Sequence, residues 1–219
     1  MDKHFSVAID GPSGAGKSTI AKAAAARFGF IYVDTGAMYR TVGLAAARAG
    51  LALGEEGPVV ELLPKLDIRF GYGEDVTGLI RTPEISMRAS EVSAMPEVRA
   101  YLLDMQRRMA ERQNVIMDGR DIGTVVLPEA SLKVFLTASP ERRAERRYRE
   151  LRAKGAQDSY EQVLADIIKR DENDSSRAAA PLKKAEDAVE VDTSELTLEE
   201  SVERICLLIE RVIGGERSE

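Results

Sequence analysis

Residues 11–19 read GPSGAGKST and follow directly on the apolar stretch FSVAI. This juxtaposition constrains the fold more than any other feature of the chain. A flexible, polar segment at the edge of a core strand is wasteful unless its backbone has work to do. Gly11, Gly14 and Gly16 permit backbone angles closed to other residues, so the segment can curl and aim several N–H groups at one point. A helix beginning near Ser18 adds the positive end of its dipole there. Lys17 supplies a mobile positive charge, and the Ser18 hydroxyl is a hard oxygen suited to Mg²⁺. The spacing Gly-x-x-x-x-Gly-Lys-Ser is that of a phosphate-binding loop. An ordinary Gly/Ser turn is the competing interpretation. The strand before the segment and the helix after it favour the loop.

The rest of the chain fits a globular α/β protein. Its 219 residues suit one domain, 1–219, and the 44% hydrophobic content is that of a packed fold. No apolar run approaches the ~18 residues needed to cross a membrane. The N-terminus lacks the apolar region and cleavage site of a secretory signal. Cys206 is the only cysteine, so no internal disulfide forms and a cytoplasmic location is expected. The net charge of −6 argues against a nucleic-acid-binding surface. A basic pocket for a small anion remains compatible with it. The Asn173-Asp-Ser175 sequon is taken as chance.

Apolar runs at 5–10, 30–34, 114–118, 133–138 and 189–192 predict five strands. Helices are expected over 18–28, stopped by Gly29, and over 36–48. Further helices are expected from Pro96, over 139–155, over 158–171 with Asp158 and Glu161 as a capping box, and from Thr197 to Gly214 with Thr197 and Glu200 as another. Tyr160, Val163, Leu164, Ile167 and Ile168 share one face of the fifth helix. Leu198, Val202, Ile205, Ile209 and Val212 share one face of the last. Alternating strands and helices predict a parallel sheet with right-handed crossovers, in a three-layer α/β/α arrangement. The glycine-rich stretch 50–83 breaks this rhythm. It is read as short strands and turns, within a small insert over 50–95, and residues 140–180 are read as an arginine-rich helical lid.

The loop specifies a triphosphate donor and leaves the acceptor open. No Asn-Lys-x-Asp base-reading motif of a GTPase is present. Three other stretches bear on the acceptor. DTGAMYR (34–40) lies at the C-terminal end of the second strand, where ligands bind in open α/β sheets. VIMDGRD (115–121) ends an apolar strand in Asp118, placed like a carboxylate that holds Mg²⁺ through water, and then Arg120 and Asp121. PERRAERRYRELRAK carries six arginines. Phosphoryl transfer needs cations around a cluster of oxygens on a segment that closes and expels water.

With these residues in view, IDGPSGAGKST, DTGAMYR, GLIRT, DGRDIGTVV and RD…R…APL, in this order, resemble bacterial cytidylate kinases of the nucleoside-monophosphate kinase group. The resemblance runs over almost the entire chain. It implies transfer of the γ-phosphate of ATP to CMP or dCMP. It implies that Gly11, Pro12, Ser13, Gly14, Ala15, Gly16, Lys17, Ser18 and Thr19 hold the ATP phosphates, with Mg²⁺ on Ser18 directly and on Asp118 through water. It places Thr35, Tyr39, Arg40, Ser90, Arg99, Arg120, Asp121, Arg170, Asp174 and Arg177 at the CMP. Within that set Arg40, Arg120 and Arg170 grip the acceptor phosphate. Ser90, Arg99 and Asp121 read the cytosine, and Asp174 meets the ribose. Lys17, Arg40, Arg120 and Arg170 are the expected catalytic groups. Thr35 stands where the family often has serine. The insert is about ten residues shorter than usual, a loop-length difference.

The expected chemistry is direct in-line transfer. The acceptor is already a phosphate oxyanion, so no general base is required, and His4 and Cys206 are read as structural. A kinase for UMP or another small acceptor, and a nucleotide-binding regulatory module without transfer, are the competing functions. A monomer is expected.

Overall fold

The computed structural model describes residues 4–52, 56–66, 78–153, 155–176 and 180–215. It divides into two compact units, residues 1–32 with 112–219 and residues 33–111.

The larger unit is built on a five-stranded parallel sheet in the order β2-β3-β1-β4-β5. Its strands are β1 (Ser6–Asp10), β2 (Ile31–Asp34), β3 (Val115–Gly119), β4 (Leu132–Thr137) and β5 (Val189–Asp192). The unit boundary falls inside β2, after Tyr32. Central β1 pairs with β3 from Ser6↔Val115 to Asp10↔Gly119, and with β4 from Val7↔Leu132 to Asp10↔Phe135. This register brings Asp10 level with Gly119, one residue past Asp118. Every residue of β1 is buried, as expected of a central parallel strand with an apolar middle, Val7–Ile9.

Helices α1 (Lys17–Phe28) and α8 (Leu198–Ile213) pack together. Ile20, Ala21, Ala24 and Ala25 of α1 and Ile205, Cys206 and Ile209 of α8 share a core with Val7, Ile9, Ile116 and Val134. Alanine on α1 lets that helix lie close to the sheet. Gly29 ends α1 with φ 66° and its N–H on the Ala25 carbonyl. Thr197 and Glu200 form the expected capping box of α8. Leu198 is 48% exposed, not inward: it is the first residue of the helix, ahead of the turn that meets the core.

Helix α6 (Pro140–Ala153) starts with the Arg142 N–H on the Ser139 hydroxyl. Helix α7 (Tyr160–Ser176) packs on it through Ala144, Val163 and Ile167. The cap of α7 differs from the expected one. Ser159 and Gln162 exchange the capping bonds, the Ser159 N–H donating to Gln162 Oε1 and the Gln162 N–H to Ser159 Oγ. The box is therefore shifted one residue along from Asp158 and Glu161. Ile168 is 41% exposed, since it is rotated about 100° from Ile167.

The smaller unit is helical. It contains α2 (Thr35–Arg48), α3 (Glu56–Leu62) and α4 (Pro83–Val92), and α5 (Pro96–Arg112) begins in it. Helix α2 packs against α4. A Cβ on Gly43 would sit 3.1 Å from the Ala89 nitrogen and from Arg88 Cβ, so the glycine sets how closely the two helices approach. The expectation of strands and turns over 50–83 is corrected where residues are described. Residues 56–62 are helical, 63–65 and 79–81 are short 3₁₀ turns, and helix resumes at Pro83, not Pro96. Thr82 explains the restart, since its hydroxyl accepts from the Ile85 N–H ahead of a first-turn proline. Residues 53–55 and 67–77 of that stretch lie outside the described residues. Among the described residues no helix is long and apolar enough to cross a membrane.

Candidate active site

The loop between β1 and α1 has the strained backbone its glycines predict. Gly11, Gly14 and Gly16 have φ of 149°, 78° and 88°. Gly11 also touches β4: a Cβ there would lie 1.9 Å from the Leu136 carbonyl oxygen. Ala15 and Lys17 are buried, Ser13 and Ser18 half-buried and Thr19 exposed. Lys17 was expected as a mobile cation. Here its Nζ donates to the Pro12 carbonyl at 2.7 Å, closing the loop on itself. Burial holds the Lys17 ammonium below its ordinary range, and the Arg120 charge pushes the same way, while Asp118 and Asp10 oppose the shift. A triphosphate would replace a neutral carbonyl with anionic oxygens, and an ammonium disfavoured by burial binds such a partner strongly.

Ser18 and Asp118 face one another: the Ser18 hydroxyl donates to Asp118 Oδ2 at 2.8 Å. The other carboxylate oxygen accepts from the Tyr32 phenol at 2.9 Å. A hydroxyl and a carboxylate oxygen at this separation are the hard donors Mg²⁺ takes, so the residues fit the expected ion. Tyr32 carries no sequence signal of this contact, because nothing local links it to a strand end 86 positions away.

Beyond β3 the chain makes one wide turn over Ile122–Val126, closed by bonds from the Val126 N–H to the Asp121 carbonyl and from Leu127 N–H to that of Ile122. Asp10 holds the start of this turn, its two oxygens accepting from the Ile122 and Gly123 N–H groups at 2.8 and 2.7 Å. Burial raises the Asp10 pKa to about 6, and the two N–H bonds limit the rise. Asp121, the residue before the turn, is buried. No sequence motif assigns Asp10 a role. The signal available was a carboxylate at the end of an otherwise apolar strand.

Arg120 donates from Nε to Asp174 Oδ2 of α7 at 2.7 Å. Asp174 is buried, while Arg170 on the same helix is exposed. These residues, Asp118, Asp121 and the loop all belong to the larger unit.

The smaller unit gathers a second set. Asp34 caps α2 by accepting from the Ala37 N–H at 2.7 Å. It also holds Arg40 Nη2, at 3.2 and 3.1 Å from its two oxygens. Gly36 makes room, since a Cβ there would lie 2.9 Å from Arg40 Nη1. Arg40 Nε is buried and has no hydrogen-bond partner among the described residues, which makes it a donor suited to an anion. Thr35 is buried at the first position of α2. Arg99 stands 6.0 Å from the Tyr39 ring centroid and donates to the Ser93 carbonyl. Ser90 is exposed on α4. Arg177 lies outside the described residues.

A parallel sheet whose central strand feeds a glycine loop, a lysine and a helix N-terminus defines a P-loop protein. The fold recurs in a crystal structure from Eubacterium ventriosum, 12% identical with a TM-score of 0.54, covering 95% of this chain and 99% of that one. It recurs also in a shikimate kinase from Bacteroides thetaiotaomicron, 18% identical with a TM-score of 0.50, covering 94% and 98%. At such identities the likeness concerns the fold alone. Sequence goes further. The chain belongs to the cytidylate kinase family, whose model matches residues 7–211. It is 51% identical over 215 residues to a cytidylate kinase of Carboxydothermus hydrogenoformans, covering 94% of this chain and 97% of the relative. It is likewise 51% identical over 209 residues to one of Geobacter sulfurreducens, covering 91% and 90%.

Proposed function

We propose that this chain transfers the γ-phosphate of ATP to CMP or dCMP, giving ADP and CDP or dCDP. The observation that carries the proposal is the family match across residues 7–211. The formed phosphate loop and the Ser18–Asp118 pair support it.

Residues 11–19 cradle the ATP phosphates with backbone N–H groups. Lys17 exchanges the Pro12 carbonyl for phosphate oxygens. Ser18 directly and Asp118 through water would hold Mg²⁺, which would supply charge neutralisation to the ATP phosphates. Arg40, Arg120 and Arg170 hold the acceptor phosphate, and the unsatisfied Nε of Arg40 supports its place there. Arg177 and Thr35 are assigned to the same substrate, and Tyr39 with it. Ser90, Arg99 and Asp121 read the cytosine, and Asp174 the ribose. A carboxylate at Asp121 accepts from the exocyclic amine of cytosine, which uracil lacks, and a buried acceptor left without its donor rejects the analogue. Catalysis rests on positioning and charge neutralisation. The helices of 140–180 act as a lid that keeps water from the γ-phosphate, and the stretch 50–95 carries acceptor-binding residues. The protein works as a monomer in the cytoplasm.

A coupled assay of ADP release with CMP, dCMP, UMP, AMP and shikimate tests the reading. CMP and dCMP should give the highest turnover. ADP release with CMP no faster than with buffer would refute it. Asp121→Ala should cripple CMP use and leave ATP binding nearly intact.

A further inference from the structure

We propose that Arg143 and Asp171 are positioning residues that couple the phosphate loop to Arg120 through α7, so that a donor nucleotide on the loop tightens acceptor binding. The proposal rests on the kinase function proposed above.

Arg143 is the one fully buried arginine of α6. Arg142, Arg147 and Arg149 are well exposed and pair with Glu195, Glu150 and Glu145 on the surface, where such pairs contribute little. The Arg143 side chain is 3% exposed. A guanidinium so deep is costly unless its donors are matched. They are matched to three separate parts of the fold. Nε donates to the Ala138 carbonyl at 2.8 Å, just past β4. Nη1 donates to the Ser13 carbonyl of the phosphate loop at 3.0 Å and to Asp171 Oδ1 at 3.0 Å. Nη2 donates to Asp171 Oδ2 at 2.5 Å. Only a rigid, planar fork satisfies loop and carboxylate at once. The stem of Arg143 also backs the loop: a Cβ on Gly14 would lie 3.3 Å from Arg143 Cβ.

Asp171 follows Arg170 and precedes Asp174 by three residues, so Asp171 and Asp174 share a face of α7. One is tied to the phosphate loop through Arg143, and the other holds Arg120. The Leu182 N–H donates to the Asp174 carbonyl and tethers the same turn. A continuous series of bonded groups therefore runs from Ser13 through Arg143, Asp171 and one turn of α7 to Arg120. Phosphates filling the cradle restrict the Ser13 peptide, and that restriction passes to the arginine assigned to the acceptor. Such coupling is reciprocal.

The test is CMP affinity by calorimetry, with and without a non-hydrolysable ATP analogue and Mg²⁺, in wild type and three variants. Arg143→Lys keeps the charge and loses the fork. Asp171→Asn keeps the shape and loses the charge. Arg143→Met with Asp171→Leu replaces the pair by apolar groups, an exchange that buried pairs often tolerate. In wild type the analogue should tighten CMP binding about 5-fold or more, the lower range of site-to-site coupling. In each folded variant the tightening should fall below about 2-fold, with CMP affinity alone nearly unchanged. A purely structural role would lower the melting temperature or weaken both ligands and leave the ratio intact. That result in the folded double variant overturns the proposal, as does a wild-type ratio of 1. Failure of wild type to bind CMP at all would instead refute the assigned acceptor.

Discussion

Arg120 and Asp174 are 54 positions apart in sequence, yet Arg120 Nε lies 2.7 Å from Asp174 Oδ2. The Asp174 side chain is 2% exposed and that of Arg120 20%. Resemblance alone gave these residues separate duties, phosphate and ribose. The ion pair makes them one unit, in which the carboxylate fixes the direction of the guanidinium before substrate arrives. Orientation established in advance is what a transfer without a general base depends on.

Asp174→Asn should therefore damage acceptor use more than donor use. Its amide keeps the shape but gives Arg120 a neutral partner. The expected loss is about 10- to 100-fold in kcat/KM for CMP, with KM for ATP within about 2-fold. Stability should drop by about 2 kcal/mol, typical of a charged hydrogen bond lost in a half-buried setting. Steady-state kinetics with each substrate varied in turn will check it. Equal damage to both substrates would mean that the pair only holds the fold.

Tyr32 gives a second prediction. Its phenol occupies one oxygen of Asp118 while Ser18 occupies the other. Tyr32→Phe removes that bond and weakens the hold on the Asp118 carboxylate. The Mg²⁺ concentration for half-maximal rate should rise about 10-fold, the low end for lost support of a metal-binding carboxylate. Mg²⁺ titration of the nucleotide-bound protein by calorimetry should show the same shift. An unchanged titration would remove Tyr32 from the site.

What the sequence discloses follows from where the cause lies. The glycine loop, the cap of α8 and the stop at Gly29 are set by residues a few positions apart, and all three stand in the structure as read. The wide turn at 122–126 leaves no such trace. Its bonds span five positions, and its anchor, Asp10, lies 112 positions upstream of Ile122. The helix at Pro83 had a local signal in Thr82, hidden by the glycines before it. Arg143 reads as one more solvated arginine among six until burial singles it out. Spacing thus gave the donor loop, whereas the pairs Arg40–Asp34, Arg120–Asp174 and Ser18–Asp118 needed the fold or a short helical return to be seen.

Asp10 makes stability depend on pH in a defined direction. Its pKa in the folded protein is about 6, against an ordinary 3.8. Between these values the unfolded chain has released its proton and the folded one still binds it. Stability from this group therefore falls as pH rises from about 4 to about 6 and is level above. Roughly two units correspond to about 3 kcal/mol. Asp10→Asn cannot titrate, so wild-type stability minus variant stability should decline by about that amount across the window. Urea unfolding of both proteins from pH 4 to 8 measures it. A difference that is flat, or that grows with pH, would contradict the burial-driven shift.

Two glycines separate close approach from backbone angle. At Gly11 an added Cβ would lie 1.9 Å from the Leu136 carbonyl oxygen, at φ 149°. That oxygen belongs to β4, which is pinned on both sides by β1 and β5, so neither partner can yield. Gly11→Ala should cost more than about 4 kcal/mol, the range reserved for severe steric conflict. Gly29 has φ 66° and nothing within 4 Å of the added atom. Gly29→Ala meets only the left-handed penalty of about 1–2 kcal/mol. At about 2–4 °C per kcal/mol for a chain of this size, the Gly29 variant should melt a few degrees lower and still turn over CMP. The Gly11 variant should melt at least about 8 °C lower or fail to fold. Calorimetric melting of both variants checks the contrast. Equal shifts would mean that the loop can move away from β4 and that its register on the sheet is softer than the geometry implies.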